Sequence, residues 1–144
     1  MTDSPIKHIK QISKQFGIFL DEKLKSYEIS ARQCAYIITI AENPGITQDR
    51  LAELLYVNKS SVTRRLSCLE DKGLIKRELN SSDQRQMLVF PTDKAKLIST
   101  PIKNAYAEWD EAVISRFSGE EQELLQSLLQ KMDIISEEVA ALVK

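Results

Sequence analysis

The chain has 144 residues, 42% of them hydrophobic, which is the size of one domain and enough to bury a core. Its net charge of −1 does not by itself indicate a nucleic-acid-binding protein. The chain has one histidine, two cysteines without metal-ligand spacing and no glycine-rich phosphate loop. It therefore lacks the residues of a Ser/His/Asp set or a metal site, and we expect no enzyme activity, metal or cofactor. No apolar run reaches about 18 residues, so we expect no membrane contact and a cytoplasmic location.

The N-terminal segment predicts a helix that begins just after Pro5, a residue favoured in a first helical turn. Its apolar residues recur at three- and four-residue steps. They are Ile6, Ile9, Ile12, Phe16, Phe19, Leu20 and Leu24. A second helix is predicted over residues 30–42, closed by Asn43, Pro44 and Gly45. By itself, the apolar stripe fits an intramolecular core as well as a contact between subunits.

Residues 46–73 predict a helix-turn-helix. Thr47 is a suitable N-cap for a short helix whose Leu51, Leu54 and Leu55 share one face. After a brief turn, Asn58 is the N-cap of a second helix over residues 59–72. Gly73 follows where a left-handed residue ends a helix at the lowest cost.

The two faces of the second helix differ in chemistry. Val62, Leu66 and Leu69 recur at helical spacing and are expected to pack on the first helix. The other face is small and polar, with Ser60, Ser61, Thr63, Arg64 and Ser67. Hydroxyl and guanidinium groups near a helix N-terminus reach phosphates and base edges in the major groove of DNA. This face is therefore predicted to read duplex DNA.

Residues 74–91 predict a β-hairpin with a charged tip. Apolar and polar residues alternate over residues 74–79, residues 87–91 have the composition of a returning strand, and turn residues 80–85 lie between them. At the tip, Arg85 is placed to enter a minor groove, and Asp83 is placed to orient it by a salt bridge. The predicted DNA-binding residues are Lys59, Ser60, Ser61, Thr63, Arg64, Arg65, Ser67, Arg77, Asp83, Gln84 and Arg85.

Charge is distributed unevenly along the chain. Residues 56–86 contain seven Lys and Arg against four Asp and Glu, a net +3, which leaves −4 for the rest of the chain. Basic charge is thus concentrated in the segment predicted to contact DNA.

The C-terminal third predicts two helices. The first runs from Asp93 to about Phe117, and Pro101 within it predicts a kink or break near Thr100. The second opens on a capping box, Ser118 with Glu121. It carries a broad apolar stripe that is too apolar for a free surface. The stripe comprises Leu124, Leu125, Leu128, Leu129, Met132, Ile135, Val139 and Leu142.

The order of these motifs resembles the MarR family of bacterial regulators. The most specific pieces are Leu-Glu-x-Lys-Gly-Leu-Ile-x-Arg, from Leu69 to Arg77, and Asp-x-Arg, Asp83 and Arg85, at wing spacing. The resemblance extends over nearly the whole chain. In one departure, Pro91 and Ala95 replace the Leu and Gly that commonly flank the wing exit, so we expect this exit to be shaped differently.

The resemblance implies a mainly α fold with a small β-hairpin wing, a winged helix-turn-helix whose N- and C-terminal helices form a dimerisation region. The chain is then one domain. Residues 1–29 and 93–144 are dimerisation helices, residues 30–45 a linking helix and residues 46–92 the DNA-binding module. Family members are homodimers, many of them repressors that small ligands release from DNA. We therefore expect a pseudo-palindromic operator as partner.

The resemblance also places an effector pocket between the dimer helices and the DNA-binding module. Small aromatic or lipophilic ligands would contact Phe16, Phe19, Tyr36, Tyr106 and Trp109, although these aromatic residues are more often part of a core. Two alternatives stay open. In the first, the module serves only protein contacts. In the second, oxidation of Cys34 or Cys68 controls the regulator, although we expect both cysteines to be small, semi-buried packing residues.

Overall fold

The structure is a computed structural model that describes residues 3–144, so residues 1 and 2 of the predicted N-terminal segment lie outside the described residues. It confirms a mainly helical fold with a small antiparallel sheet. The helices are α1 (Pro5–Lys23), α2 (Ala31–Glu42), α3 (Gln48–Leu55), α4 (Lys59–Asp71), α5 (Asp93–Ile114) and α6 (Gly119–Ala141). The strands are β1 (Ile46–Thr47), β2 (Ile75–Leu79) and β3 (Met87–Pro91), and a 3-10 turn spans Lys25–Tyr27. Within residues 3–144, no helix combines the length and apolar character needed to cross a bilayer.

The sheet has one strand more than the predicted hairpin. Its order is β1-β3-β2, with both pairs antiparallel, so that Val89 lies opposite Ile46 on one side and Arg77 on the other. Gly45 leads into β1 with a φ of +83°, and its amide donates to the Val89 carbonyl at 2.9 Å. A Cβ at Gly45 would lie 3.3 Å from the Phe90 ring, so both the backbone conformation and the space favour glycine.

The contacts divide the chain into two units, one ending at Tyr106 and the other comprising Ala107–Lys144. The first unit contains a continuous hydrophobic core to which α1 to α5 and the sheet contribute. Its largest fully buried side chains include Leu20, Leu24, Ile37, Ile40, Leu51, Val62, Leu66, Leu69, Leu74, Val89 and Ile102. The winged module is therefore folded around side chains of its own chain.

Only part of the predicted α1 stripe joins this core. Leu20 and Leu24 are buried, and Phe16 and Phe19 pack against the core as half-buried residues. Ile6 and Ile12, at the start of the helix, are exposed. The N-terminal half of α1 thus presents an apolar face outside the core.

The sequence predicts a kink or a break near Thr100, and the break is wrong, because helix α5 continues through Pro101. Proline removes one backbone hydrogen bond, but tertiary packing outweighs a local preference of this kind. Here Ile98 and Ile102, on either side of the proline, are both buried in the core. The helix begins at a well-formed junction: the Thr92 hydroxyl accepts from the Ala95 amide at 3.3 Å and donates to the Gly73 carbonyl at 2.6 Å.

Helix α6 begins with the predicted capping box. The Ser118 hydroxyl accepts from the Glu121 amide, and the Glu121 carboxylate accepts from the Ser118 amide at 2.9 Å. These bonds lower the pKa of Glu121 from its ordinary value. No residue of α6 is buried, although its sequence has the apolar stripe described above. The stripe is therefore not part of an intramolecular core.

Candidate nucleic-acid interface

The first helix of the helix-turn-helix forms as its sequence predicts. The Thr47 hydroxyl accepts from the Arg50 amide at 3.1 Å, which caps α3, and Leu51 is fully buried. Leu54, predicted on the same face, remains partly exposed. Helix α3 ends at Tyr56, which adopts a left-handed conformation with a φ of +54° and leads the chain into the turn before α4.

Helix α4 begins at the predicted cap. The Asn58 carboxamide oxygen accepts from the Ser61 amide at 2.8 Å and from the Ser60 hydroxyl at 2.7 Å. These two bonds order the first turn of the helix. Lys59 forms an ion pair with Asp49 of α3 at 3.3 Å, and both side chains are exposed.

The faces of α4 separate as predicted, because Val62, Leu66 and Leu69 are fully buried. The predicted DNA-binding residues lie on the remaining surface. Lys59, Ser60, Thr63 and Arg64 are exposed, and Ser61, Arg65 and Ser67 are half-buried.

Two hydroxyl groups of α4 bond back to its own turns. Thr63 donates to the Lys59 carbonyl and Ser67 to the Thr63 carbonyl, each at 3.1 Å. In this rotamer, each hydroxyl hydrogen is engaged; each oxygen also accepts one bond, from Gln48 at Thr63 and from Arg77 at Ser67, and keeps one further lone pair. The neighbouring Arg64 has donors alone. The face thus combines hydrogen-bond acceptors with a cationic donor, as a surface that distinguishes base edges requires.

Arg77, which is predicted to contact DNA, instead bonds to other side chains of the protein. Its guanidinium donates to Glu70 at 2.9 Å and to the Ser67 hydroxyl at 3.2 Å, and the side chain is 19% exposed. The hydrogen bond from Arg77 holds the pKa of the Glu70 carboxyl below its ordinary value. This position favours a role in bracing β2 against α4 over a direct contact with DNA.

The tip between β2 and β3 is ordered by a set of local hydrogen bonds. The Asn80 amide donates to the Gln86 carbonyl at 2.9 Å, and the Ser82 amide donates to the Asn80 side chain at 3.0 Å. Asp83 accepts from the Arg85 amide at 3.1 Å and from its guanidinium at 3.2 Å, which confirms the predicted salt bridge. Gln84 is exposed beside them.

This arrangement presents Arg85 to solvent. Its side chain is 92% exposed, while the bonds to Asp83 restrict its direction. The side chain is thus a cation held at the end of a short hairpin, available to an anionic surface.

Two of the five aromatic residues predicted at an effector pocket meet in the structure. Phe16 and Tyr106 form an edge-to-face pair with ring centroids 4.9 Å apart. Both line a cavity of about 610 Å³ in the first unit, together with Leu20, Asp21 and Arg32. Burial raises the pKa of Tyr106 above its ordinary value.

The other three predicted pocket residues lie elsewhere. Tyr36 is buried in the core, 3% exposed, with a hydroxyl that has no hydrogen-bond partner among the described residues. Phe19 packs against the core, with the Lys23 ammonium 5.6 Å from the centre of its ring. Trp109 belongs to the second unit, where it is half-buried. The predicted pocket therefore reduces to Phe16 and Tyr106 in the cavity of the first unit.

The two cysteines differ from each other. Cys34 is buried, as expected of a packing residue, and burial followed by the nearby Asp21 carboxylate raises its pKa to about 11. Cys68 is exposed, so the expectation that both are semi-buried is wrong for this residue. Because Cys68 lies two turns beyond Ser61 on α4, it flanks the predicted reading face.

Sequence reasoning missed a set of polar contacts behind α4. The Lys72 ammonium donates to the Gln33 side-chain oxygen, although 39 residues separate the two in sequence. Gln33 also bonds to Ser30 and Cys68, and Lys72 to Glu28. The capping pattern Ser30-x-x-Gln33 predicts the local bond of Gln33. Nothing in the sequence indicates its long-range partner.

The comparisons with known proteins agree with this geometry. The model of the family described as MarR family matches residues 29–87. Over 108 residues the chain is 34% identical to the transcriptional regulator HosA of Escherichia coli O111:H-, covering 73% of this chain and 78% of that protein.

Solved structures match the fold over most of the chain. A MarR protein from Peptoclostridium difficile is 27% identical, with a TM-score of 0.93 over 100% of this chain and 95% of that one. A MepR–DNA complex of S. aureus is 24% identical, with a TM-score of 0.84 over 91% of this chain and 97% of that one, and this likeness concerns the fold alone.

Proposed function

The chain belongs to the MarR family of transcriptional regulators, and on that premise we propose that it is a homodimeric repressor that reads a pseudo-palindromic duplex DNA site and is released by a small molecule. The family consists of transcriptional regulators and not of enzymes, which confirms the expectation of a non-catalytic protein. The alternative of a module for protein contacts alone is less favoured, because the outer face of α4 is polar rather than apolar.

The observation that best supports DNA reading is the pairing of two preorganised elements. The first is α4, whose inner face is fully buried and whose capped N-terminus directs small polar groups and Arg64 outward. The second is the hydrogen-bonded tip with the exposed Arg85. A helix of this kind enters a major groove, and a cation at a hairpin tip reaches an adjacent minor groove. The fold shared with the MepR–DNA complex agrees with such docking.

Homodimer formation is supported by α6. Its apolar side chains Leu128, Met132, Ile135 and Val139 line one groove of the second unit, and no residue of the helix is buried. A contiguous apolar face of this length is rarely left in water. A second copy of the same chain would bury it, and a two-fold axis would present two copies of α4 about one turn of duplex apart, roughly 34 to 36 Å.

Release by an effector is supported by the cavity beside Phe16 and Tyr106. Its volume of about 610 Å³ lies within the range of small-molecule sites, and the edge-to-face aromatic pair gives it an apolar wall. A small aromatic molecule fits this wall, and the charged Asp21 and Arg32 of the same cavity fit a polar group on it. It would release DNA by binding more tightly to a dimer whose two reading helices have the wrong spacing.

The test is selection of DNA by the purified full-length protein. A random duplex library is retained on the protein, the retained sites are sequenced, and the affinity for the selected site is measured while salt is raised. We expect a near-palindromic site, bound by a dimer, with affinity that falls steeply as salt rises. A dimer that shows no site preference would contradict the proposed function.

The contribution of Arg85 to DNA binding is tested with a matched pair of variants. Arg85→Ala is expected to weaken binding to the selected site without changing the dimer, because it removes the cation at the tip. Arg116→Ala removes one positive charge from the second unit and is the control. Equal affinities of the two variants would remove Arg85 from the interface.

A further inference from the structure

The buried side-chain amide of Gln33 connects the N-terminus of α2 with the C-terminal end of α4. Gln33 is 9% exposed and occupies the third position of α2. Its oxygen accepts from the Ser30 amide at 3.1 Å and from the Lys72 ammonium at 3.2 Å. Its nitrogen donates to the Cys68 sulfur at 3.6 Å. Both lone pairs of the oxygen are therefore occupied, one within α2 and one across to α4.

Cys68 and Lys72, the two residues of this helix end that contact Gln33, lie on the same side of α4. Cys68 and Lys72 are four residues apart, so they lie above one another on one side of the helix. Lys72 also donates to the Glu28 carbonyl at 2.6 Å, and Glu28 is held in a left-handed conformation with a φ of +58°. The Lys72 ammonium thus joins two points of the segment that precedes and begins α2.

The same helix end is also bonded to the start of α5. The Lys94 ammonium donates to the Lys72 carbonyl at 2.9 Å, and the Thr92 hydroxyl donates to the Gly73 carbonyl at 2.6 Å. The N-terminal half of α4 packs on the core through the buried Val62, and its polar contacts with α3 are exposed: the Lys59–Asp49 ion pair and a contact of 3.5 Å between Gln48 and Thr63. Surface pairs of this kind contribute little to holding a helix.

We propose that Gln33 is a positioning residue for DNA reading, acting through Lys72 and Cys68 to fix the C-terminal turn of α4, and with it the direction of the outer face. This inference rests on the proposed reading of DNA by α4. Val62, Leu66 and Leu69 pack α4 on the core along its length, so the contacts at Lys72 and Cys68 act on how the helix is turned about its axis, and with it on the direction in which Arg64 and Ser60 face. Ser30 lines the cavity beside Phe16, and its amide donates to the Gln33 oxygen, so the same side chain connects the wall of the cavity with α4.

Three variants of the full-length protein test this proposal. Gln33→Met has a similar shape but removes both amide functions, and Lys72→Met removes the ammonium while leaving the capping box intact. Gln33→Glu retains the acceptors for Ser30 and Lys72, as a glutamate in a capping box does. Lys103→Met, at an exposed residue of α5, is the matched control for the loss of one positive charge.

The readouts are affinity for the selected duplex, affinity for a scrambled duplex of the same composition, the salt dependence of each, and the thermal midpoint. For Gln33→Met and Lys72→Met we expect the preference for the selected duplex to fall by about three- to thirtyfold, the range found for residues that couple sites without touching the ligand. Affinity for the scrambled duplex and the salt dependence should match those of Lys103→Met. Gln33→Glu should retain most of the preference.

These outcomes separate positioning from other roles. An equal loss on both duplexes, or a smaller salt dependence for Lys72→Met than for Lys103→Met, would make Lys72 a phosphate contact and overturn the proposal. An unchanged preference in Gln33→Met, or a loss in Gln33→Glu as large as in Gln33→Met, would also overturn it. If Gln33→Met does not fold, Lys72→Met decides the matter. A wild-type protein without site preference would instead defeat the proposed function, and this inference with it.

Discussion

The winged module and helix α6 use similar apolar stripes with opposite results. In α4, the residues that recur at helical spacing, Val62, Leu66 and Leu69, are fully buried within the first unit. In α6, a longer stripe of the same kind contains no buried residue. The module is therefore folded within a single chain, whereas α6 has an apolar face that a single chain does not cover. The contrast separates residues that stabilise the fold from residues available for assembly.

The largest expected effect is on assembly. Ile135→Glu places a charge on the apolar face of α6, and burying an unpaired charge in a dimer contact costs several kcal/mol. We expect dimer dissociation to be favoured by about a thousandfold, which corresponds to about 4 kcal/mol. Sedimentation equilibrium measures it. Gln130→Glu adds the same charge on the opposite side of the helix and should remain dimeric; equal behaviour of the two would contradict the assignment of the face.

The next effect is on folding of the module. Leu66→Ala removes a fully buried side chain of α4 and is expected to lower the free energy of unfolding by about 2 to 5 kcal/mol. Urea unfolding at fixed protein concentration measures the change, provided that the dependence on denaturant stays the same. The matched substitution Leu54→Ala, at a partly exposed leucine of α3, should cost less than about 1 kcal/mol. A larger loss for Leu54 would contradict the described burial.

A smaller, selective effect is expected at the reading face. Arg64 is exposed on α4, so Arg64→Ala should leave folding unchanged and weaken binding to the selected site by about 1 to 3 kcal/mol if the guanidinium contacts a base edge. The preference should relax at one position of the site, which binding to single-base variants of the duplex would reveal. A uniform loss over all variants would identify a phosphate contact. Arg116→Ala again controls for charge.

The smallest expected effect leaves folding and assembly unchanged and concerns the different reactivities of the two thiols. At about pH 8, a pKa of about 11 leaves about one part in a thousand of Cys34 as the reactive thiolate. Burial slows its reaction further, so its labelling should become fast only as pH rises towards 11 or as the protein unfolds. Cys68 is exposed and should react first, more slowly when DNA covers α4. Mass spectrometry of the labelled protein, with Cys68→Ser as control, tests this order. Fast labelling of Cys34 in the folded protein would contradict its burial.

The features that the sequence predicts correctly are those with local causes. The caps at Thr47, Asn58 and Ser118 join groups within three residues of each other, and the Asp83–Arg85 pair spans two. Apolar spacing likewise predicts which face of α4 is buried. Such signals are visible in a short window, because the interacting groups lie within one turn of helix or hairpin.

The remaining features depend on residues that are distant in sequence. The pairing of Ile46 with Val89, the attachment of Gln33 to Lys72 and the bracing of Arg77 against Glu70 are decided by packing of separate elements. Packing of Ile98 and Ile102 likewise keeps α5 continuous through Pro101, against the local preference of proline. By itself the sequence determined which segments form helices, where they are capped and which faces are apolar. Only the tertiary structure decided which of those faces are buried, because the burial of a face depends on whether other residues pack against it.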